Sequence, residues 1–442
     1  MRFVAGGDCL FSSRNLVNRL EPEIVTLLQD ADGVFVNAEF TTPKPDIHPP
    51  ASGRGYVTAV RDSILDEFAD LNIRLISFAN NHTTDFGVDS VVNTIVESEK
   101  RKLLPCGIGR SIGEAVHPKF LDTANGRIGV TATSSTRSEM MLASKAGAFT
   151  IARPGVAPLR WNNTYVLPKN LFDNLREIDE ALGTAKAFRE CNSIEIKKPF
   201  TETFFKFGSL FEGNLDFELG EKPYIKTQYN EKDAKELLKS VKDASFRSDF
   251  NFVSLHTHEG DNGNWYDPLP ADFIQKFAKE SIDNGADTVI GHGAHFMRGI
   301  EIYKGKPIFY NLGSFLMEFE TGESIITPEM YQTYGFEDTS RPSDLHRNRA
   351  KDATGKFQGF NSQPRFSRNC LVVFDTEGKD SLLKFKILPI DLDLTRDRIV
   401  DRGFPKLVSD KIGKEIAEYL TEVSKIWGTK LEYKEDGYIY IV

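Results

Sequence analysis

Short apolar runs alternate with segments of helical period along most of the chain. The runs are rich in β-branched and aromatic residues, a composition that is typical of buried strands. Strands are expected at 2–5, 33–36, 74–79, 127–133, 252–255 and 287–290, and helices at 16–28, 63–71, 88–100, 231–242 and 271–284. Because strands and helices alternate, the sequence predicts an α/β fold with a parallel or mixed sheet covered by helices.

The alternation breaks at two places, and these breaks suggest a domain organisation. Residues 151–230 contain a helical segment at 169–189 and a Phe-rich stretch of mixed charge, so an inserted, cap-like segment is expected there. Residues 321–367 are polar with few apolar anchors, which predicts a long polar loop. The α/β core is then expected to comprise 1–150 and 231–320, completed by strands and a helix in 368–442.

The composition is that of an ordinary globular protein, with 40% hydrophobic and 27% charged residues. A net charge of −9 argues against nucleic acid or an anionic membrane as the main partner, although a local basic patch for an anionic substrate is compatible with it. Four cysteines lie far apart and are expected to be reduced thiols. The chain starts directly with a predicted strand and has no apolar run of about 20 residues, so a cytoplasmic protein without membrane insertion is expected.

Polar side chains follow the first three predicted strands. Asp8 comes after two glycines at the end of the first strand, Asn37 and Glu39 end the second, and Asn81 and His82 follow the third. In an open α/β sheet the carboxyl ends of the strands border one crevice, where ligands bind. These side chains are therefore expected to meet, although Asp8 by itself could simply cap the following turn.

Histidines gather in the same way. Five of the eight, His82, His256, His258, His292 and His295, lie in three short segments that each follow an apolar run. Imidazole groups at a strand end can bind a metal or transfer protons. The alternative is a set of hydrogen-bonded loop histidines, but scattered structural histidines are not expected to cluster like this.

Mixed carboxylate, amide and imidazole ligands suit zinc, manganese or iron(II) better than calcium or magnesium. A bridging carboxylate such as Glu39 can hold two metals about 3.5–4 Å apart, a spacing that activates water and clamps a leaving oxygen. His82, beside the amide of Asn81, is then a candidate general acid for the departing group. The sequence contains no thiolate cluster, P-loop, GxSxG or dinucleotide-binding motif.

Two arginines, Arg153 and Arg160, lie in a loop rich in proline and glycine. Guanidinium groups in such a loop can hold an anionic substrate. A surface turn with solvated charges is at least as good an interpretation.

Several motifs resemble those of the CapA family, proteins associated with poly-γ-glutamate capsule synthesis. Gly7-Asp8 resembles the family's opening GD, 37–39 its NxE, and NNHTTDFG at 80–87 its long and specific NNHxxDxG. Residues 153–160 resemble its RPGxxPLR segment and 306–315 its KPIFYSLGNF. The resemblance covers most of the chain. It implies a calcineurin-like metallophosphoesterase fold, a layered α/β/β/α arrangement with mixed sheets.

The chain departs from the family pattern at two histidine motifs. The family's HWGxE appears as HTHEG at 256–260, so Gly260 stands at the glutamate position. Its GxHPH appears as GHGAH at 291–295, which keeps the last histidine but has Gly293 in place of the first. Leu10 stands where true metallophosphoesterases have the histidine of DxH. A two-metal site is therefore short of ligands unless His258 or His292 contributes.

Three functions remain open. The first is a hydrolase or transferase that uses manganese, zinc or iron and acts on a peptide, γ-glutamyl amide or phosphoester bond. The second is a metal-free acid–base enzyme, such as a peptide epimerase that uses Asp8 and His295. The third is a non-catalytic binder of an acidic polymer such as polyglutamate. The oligomeric state is not predicted.

Each candidate residue has an expected role. Catalysis is expected of His82, His258, His295 and Asp8. Metal binding is expected of Asp8, Glu39, Asn81, His256 and His295. Substrate binding is expected of Asn37, Glu259, His292, Arg153 and Arg160.

Overall fold

The computed structural model describes residues 1–53, 55–195, 200–211, 213–318, 324–378 and 383–442. Its strands are β1 (Arg2–Phe11), β2 (Gly33–Ala38), β3 (Ile73–Ser77), β4 (Leu104–Cys106), β5 (Ile108–Gly109), β6 (Lys119–Thr123), β7 (Gly126–Ser134), β8 (Gly155–Val156), β9 (Trp161–Leu167), β10 (Phe204–Ser209), β11 (Gly213–Leu219), β12 (Tyr224–Tyr229), β13 (Phe250–Thr257), β14 (Thr288–Gly293), β15 (Ile300–Tyr303), β16 (Lys306–Phe309), β17 (Ser314–Glu318), β18 (Arg368–Asp375), β19 (Lys384–Asp391), β20 (Lys406–Leu407), β21 (Leu431–Tyr433) and β22 (Ile439–Ile441).

Helices lie between many of these strands. They are α1 (Pro22–Gln29), α2 (Leu65–Asp70), α3 (Gly87–Lys100), α4 (Ile112–Ala115), α5 (Ser138–Met141), α6 (Lys169–Leu182), α7 (Thr184–Ile194), α8 (Glu231–Arg247), α9 (Asp272–Asp283), α10 (Pro328–Thr333), α11 (Pro342–Ala350), α12 (Pro364–Ser367) and α13 (Asp410–Val423). None of the helices in the described ranges is both long enough and apolar enough to cross a membrane.

The chain divides into two compact units. Unit 1 comprises Met1–Arg160, Glu231–His258 and Lys276–Val442, and unit 2 comprises Trp161–Asn230 and Glu259–Gln275.

Unit 1 contains two mixed sheets. The first sheet has the order β21-β22-β19-β18-β1-β2-β3-β4, with β17 also paired to β1 and β20 to β19. The second has the order β15-β16-β14-β13-β7-β6. In the first sheet the neighbouring strands from β1 to β4 are parallel, and in the second sheet the same holds for β7, β13, β14 and β16. Antiparallel pairs join β18 to β1, β15 to β16 and β6 to β7.

The two sheets pack face to face on an aromatic core. The ring of Phe252 on β13 lies 4.9 Å from that of Phe3 on β1 and 5.0 Å from that of Phe35 on β2, measured between centroids. Val4, which points to the opposite face of β1, belongs to a second core cluster with residues of α1, α2 and α3. Helix α8 packs on β7 and β13. The α/β/β/α layering with mixed sheets is therefore confirmed.

Unit 2 is built on a separate sheet with the order β10-β11-β9-β12. Phe172, Phe205 and Phe217 form its core, so the Phe-rich stretch of 151–230 supplies strands. The single helical segment expected at 169–189 is two helices, α6 and α7. Gly183, with a φ of +79°, separates them because glycine readily adopts this left-handed backbone. Residues 196–199 and 212 of the expected insertion lie outside the described residues.

The segment expected to be a long polar loop contains α10, α11 and α12. Its few apolar side chains act as anchors in a cluster that joins Met330, Tyr331 and Leu345 to Val57, Ala59 and Phe86. These anchors are widely spaced and their partners lie far away in the sequence, so no local hydrophobic period reveals the helices. Residues 321–323 of the expected loop lie outside the described residues.

Candidate functional site

The candidate residues of unit 1 come together where the parallel strands of both sheets end. The first sheet contributes Asp8, Glu39, Asn81 and His82, and the second contributes His256, His258, His292 and His295. We call these eight side chains the histidine–carboxylate cluster. All eight are buried.

Asp8 lies where β1 loses its regular pairing. The register of β1 with β2 shifts between Ala5 and Asp8, and its register with β17 shifts directly after Asp8. Gly7 allows this close packing, because a Cβ atom there would lie 1.8 Å from the carbonyl oxygen of Gly313. Irregular pairing of this kind re-aims side chains. The Asp8 carboxylate accepts hydrogen bonds from the backbone N–H of Gly293 on the second sheet, at 2.9 and 3.1 Å.

Asn80 holds the turn that follows β3. Its amide donates to the backbone carbonyl of Ala38 (2.8 Å), and its side-chain oxygen accepts from the backbone N–H of His82 (3.0 Å). The same turn carries Asn81, whose Oδ1 lies 2.8 Å from Nε2 of His256. One asparagine therefore fixes the backbone on which two candidate site residues stand.

His82 is oriented by a buried carboxylate. Its Nδ1 donates to Oδ2 of Asp85 at 2.6 Å, and the same oxygen accepts from the backbone N–H of Thr58 at 2.9 Å. Nε2 of the ring lies 4.0 Å from Oε1 of Glu39. A carboxylate that binds one ring nitrogen fixes the tautomer of a histidine and leaves the other nitrogen basic.

His256 and His292 lie side by side because the register of β13 and β14 pairs them. Their Nδ1 atoms are 3.2 Å apart, and Nε2 of His292 lies 2.6 Å from Oγ of Ser254. Asn37 supports the same region: its amide donates to Oδ1 of Asp8 at 2.8 Å and lies 3.4 Å from Nδ1 of His256. This row of contacts holds the His256 ring against the first sheet.

His295 has a φ of +62°, a left-handed backbone that non-glycine residues seldom adopt. Its Nδ1 donates to Oδ2 of Asp8 at 3.1 Å, and its Nε2 lies 3.7 Å from Oε1 of Glu39. Unusual backbone of this kind persists only where the surroundings hold it, and it concentrates at functional sites.

Glu39 is the carboxylate at which the imidazoles meet. Its Oε1 is surrounded by the Nε2 atoms of His295 at 3.7 Å, His258 at 3.9 Å, and His82 and His256 at 4.0 Å. These separations exceed hydrogen-bonding distance. Neither carboxylate oxygen of Glu39 has a hydrogen-bond partner among the described residues. Burial, together with the charge of Asp8, raises the pKa of Glu39 well above its ordinary value.

Several of the surrounding imidazoles are held neutral. Burial and the neighbouring histidines lower the pKa values of His256 and His258 well below the usual range, and burial lowers the pKa of His292 to about 4. Burial alone would raise the pKa of Asp8, but its contacts with His295 and His292 outweigh that effect and lower it. Neutral imidazole and ionised carboxylate are the forms that bind a metal.

The donor atoms are close enough to share metal ions. Within each of three groups the ligand atoms lie within 4.8 Å of one another, the groups being Asp8–His256–His292, Glu39–His256–His258 and Asp8–Glu39–His295. Carboxylate and imidazole donors suit manganese, zinc or iron. The buried Glu39 oxygens, which lack a donor, are the acceptors that a bound cation would satisfy. The residues present therefore fit a divalent metal.

Exposure divides the histidines into two sets. His256 and His292 are fully buried, whereas 7–8% of the surface of His82, His258 and His295 is exposed. The three partly accessible rings are the ones that can reach a bound molecule. The two enclosed rings are confined to holding their neighbours or a metal.

Three residues expected to bind substrate are buried. Asn37 and His292 are inaccessible, and their polar atoms contact other cluster residues. Both side chains thus lie within the cluster, and their expected role in substrate binding stays a prediction. Glu259 lies in unit 2, where it is buried and its backbone carbonyl accepts from the N–H of Ala271 at 3.3 Å.

The two arginines expected to bind an anion have other contacts. Nε and Nη2 of Arg160 each donate to the carboxylate of Asp233 at 2.7 Å, so this guanidinium already has an anionic partner. Arg153 is exposed, and its Nε donates to the backbone carbonyl of Leu142 at 3.1 Å. Within the described part of the chain, neither arginine forms a hydrogen bond or an ion pair with the histidine–carboxylate cluster.

Four residues that support the site, namely Asn80, Asp85, Ser254 and Gly293, were not among the site residues expected from the sequence. Asn80 and Asp85 lie within the NNHTTDFG motif, and Ser254 lies two positions before His256 on β13. Motif membership and two-residue spacing on a strand are the signals that could have identified them.

The comparisons with known proteins agree on a family. A model described as bacterial capsule synthesis protein PGA_cap matches residues 7–318, a range that includes the whole cluster. The chain is 29% identical over 443 residues to uncharacterized protein y4sH of Sinorhizobium fredii, covering 98% of this chain and 91% of that protein. It is 22% identical over 249 residues to PGA biosynthesis protein CapA of Bacillus subtilis, covering 56% of this chain and 44% of that protein.

Solved structures show a more distant similarity. A crystal structure of a novel phosphatase from Mycoplasma pneumoniae aligns at 13% identity and a TM-score of 0.37, covering 88% of this chain and 93% of that one.

Proposed function

The chain belongs to the bacterial capsule synthesis protein PGA_cap family, and from that premise we propose that it is a metal-dependent enzyme that breaks or transfers a peptide, γ-glutamyl amide or phosphoester bond. The relative in Bacillus subtilis is a PGA biosynthesis protein, which makes a γ-glutamyl bond the first substrate class to examine.

The surroundings of Glu39 carry this proposal. A buried carboxylate with no hydrogen-bond donor is unfavourable when charged, and crowded imidazoles are unfavourable when protonated. The carboxyl pKa is raised and the pKa values of His256 and His258 are lowered accordingly. A divalent cation would stabilise the ionised carboxylate and the neutral imidazoles together, which supports a metal site centred on Glu39.

Asp8, Glu39, Asn81, His256 and His295 are the residues that would hold the metal, and His258 offers a further imidazole in the group with Glu39. When bound, a divalent metal supplies a Lewis acid that polarises the carbonyl or phosphoryl oxygen of the scissile bond.

His82 is suited to donate a proton to the leaving group. Asp85 binds Nδ1 of this ring at 2.6 Å, so the exchangeable proton of the protonated form is on Nε2, the atom that faces the cluster. Because the ring is partly accessible, Nε2 can reach an amine or alkoxide that departs from the reacting bond.

His258 and His295 are the other two rings that can contact substrate. Nδ1 of His295 is bound to Asp8 at 3.1 Å, which fixes that ring. The backbone carbonyl of His258 accepts from Nη2 of the buried Arg298 at 2.8 Å, and its backbone N–H donates to Oγ1 of Thr136 at 2.9 Å. Both rings are thus presented on a backbone that is fixed by hydrogen bonds.

The contact between His295 and Asp8 also favours a second candidate, a metal-free acid–base enzyme. In that case the pair removes and returns a proton at a carbon next to a carbonyl group. Such an enzyme keeps its full activity in chelator and introduces deuterium from D2O into its product.

Turnover in chelator separates the two candidates. The protein is assayed on an oligo-γ-glutamate, a γ-glutamyl anilide and a bis-nitrophenyl phosphodiester before EDTA, after EDTA, and after addition of manganese, zinc or iron. We expect cleavage of at least one compound that is lost in EDTA and restored by metal. Full activity in EDTA with deuterium incorporation would instead support the metal-free enzyme.

A further inference from the structure

Residues 341–368 are basic although the whole chain is acidic. This segment contains seven lysines and arginines and two aspartates, a net charge of +5, whereas the chain as a whole has −9. It includes α11 and α12, which belong to unit 1. A local excess of positive charge raises the concentration of anions next to it.

The segment reaches both ends of the histidine–carboxylate cluster. The ring of Phe360 lies 5.6 Å from that of His295. At the other end the ring of Tyr56 lies 6.3 Å from His82 in an edge-to-face arrangement, and Arg349 of α11 stacks on Tyr56. The basic segment therefore flanks two of the three histidines that are accessible to a bound molecule.

Arg349 is held in place without a carboxylate. Its guanidinium carbon lies 3.9 Å from the ring centroid of Tyr56 and 5.4 Å from that of Tyr334. The side chain is half-buried, and no Asp or Glu among the described residues forms an ion pair with it. Two other arginines of the basic segment do form ion pairs, Arg341 with Asp344 and Arg368 with Glu415.

A guanidinium stacked on aromatic rings is fixed in orientation, and the N–H groups of Arg349 that do not bond to Tyr56 stay available in the plane of the fork. This geometry matches the two oxygens of a carboxylate or phosphate group. A purely structural role, in which Arg349 only packs on the aromatic rings, is the alternative. Such a role does not require the arginine to lie beside His82, the candidate proton donor.

We propose that Arg349 binds a negatively charged group of the substrate, a carboxylate or a phosphate, on the His82 side of the cluster. The inference rests on the proposed function, because it takes the cluster to be the reacting centre. It adds a selection for substrates that carry negative charge next to the leaving group.

Binding of two anionic probes tests this assignment. Inorganic phosphate and penta-γ-glutamate are titrated calorimetrically into the full-length protein, with and without added manganese. The proteins are the wild type, R349Q, R349K and, as a matched control, R347Q. Arg347 is exposed and lies two residues earlier on the same helix. Thermal unfolding and metal content are recorded for each variant.

We expect R349Q to weaken binding of at least one probe about tenfold or more. R349K should weaken it less, because it keeps the charge but loses the fork, and R347Q should change it less than about twofold. Loss confined to penta-γ-glutamate indicates a substrate carboxylate, and loss confined to phosphate indicates a phosphoryl group. If R349Q does not fold, weaker binding of a probe to R349K still supports the assignment, and wild-type affinity in R349K contradicts it.

Three results would overturn the proposal: wild-type protein that binds neither probe, R349Q with unchanged affinity for both, or an equal loss in R347Q. A wild type that binds no metal contradicts the proposed function. It leaves the Arg349 assignment standing if probe binding still depends on this residue.

Discussion

The ring of His258 packs against the backbone of Gly293, where an added Cβ atom would lie 3.0 Å from Cδ2 of the histidine. The same atom would lie 2.9 Å from Cε1 of His256. The family resemblance expects a histidine at 293, and at 258 it expects glycine. Because β13 and β14 are neighbours, His258 brings an imidazole from one strand into the space beside the other. A histidine at 258 in place of glycine therefore supplies the imidazole that the glycine at 293 lacks.

Replacing Gly293 with alanine should loosen the cluster. The φ of Gly293 is +109°, which an alanine adopts with strain, and its Cβ would press on two imidazoles. We expect a loss of about 1–3 kcal/mol in the free energy of unfolding and weaker metal binding. Gly305, at φ +78° with no atom within 4 Å of an added Cβ, is the matched control. G305A should lose stability only. Equal metal affinity in the two variants would show that crowding at Gly293 is unimportant.

Glu39→Gln should remove metal without unfolding the protein. The amide keeps the shape of the side chain but cannot act as an anionic ligand, so metal affinity should fall about 100-fold or more. Glu67 is the control, because it is also buried but its carboxylate binds Arg14 at 2.8 Å and the backbone N–H of Leu16 at 2.8 Å. E67Q should cost about 1–2 kcal/mol of stability and keep its metal. Mass spectrometry of metals and urea unfolding measure both quantities.

Asp85→Asn should impair proton transfer more than binding. The asparagine can present an N–H to Nδ1, which favours the tautomer with its proton on Nε2 and so disturbs the orientation that Asp85 gives the ring. We expect kcat to fall roughly 10²–10⁴-fold with metal content unchanged. D89N, at an exposed acid in the first turn of α3, is the control. Wild-type kcat in D85N would exclude the contact between Asp85 and His82 from the mechanism.

His346 makes stability depend on pH at a position distinct from the cluster. Burial, with a smaller effect of Arg349, lowers its pKa to about 3, whereas an unfolded chain has about 6.5. Between these values the unfolded state binds a proton that the folded state does not. The contribution to stability is therefore complete above pH 6.5 and is lost as the pH falls toward 3, by at most about 5 kcal/mol.

His346→Gln should reduce this acid sensitivity. Urea unfolding between pH 7 and pH 4 measures the slope of stability against pH, which is independent of any constant loss caused by the substitution. H117Q, at an exposed histidine, should keep the wild-type slope. The same slope in H346Q and wild type would mean that His346 is not the group responsible.

The parts of the fold that can be predicted from the sequence are the strands and helices with a regular hydrophobic pattern along the chain. Buried strands such as β1 and β13 are apolar on both faces, and parallel neighbours must end at the same edge. Asp8, Asn81 and His256 could therefore be expected to meet from strand ends alone. Side-chain direction could not, because it depends on register: β14 pairs His292 with His256 of β13, and Nε2 of this enclosed ring lies 2.6 Å from Oγ of Ser254.

Contacts between residues that follow no hydrophobic periodicity could not be predicted from the sequence. Helix α11 is short and polar, and it is held by Leu345 within a cluster formed with Val57 and Phe86. Arg349 and Tyr56 meet only because of that packing, and they are nearly 300 positions apart. Asp233, which forms an ion pair with Arg160, likewise lies on a helix whose proximity to the arginine no sequence pattern predicts.

Metal analysis of the wild-type protein decides whether the side chains around Glu39 hold a divalent metal. The protein is purified without added metal, and manganese, zinc and iron are quantified by mass spectrometry before and after dialysis against each ion. We expect at least about one equivalent per chain in the wild type and E67Q, and little in E39Q. Wild-type protein that stays free of metal after dialysis against all three ions, or E39Q that binds as much as wild type, would show that no metal site is centred on Glu39.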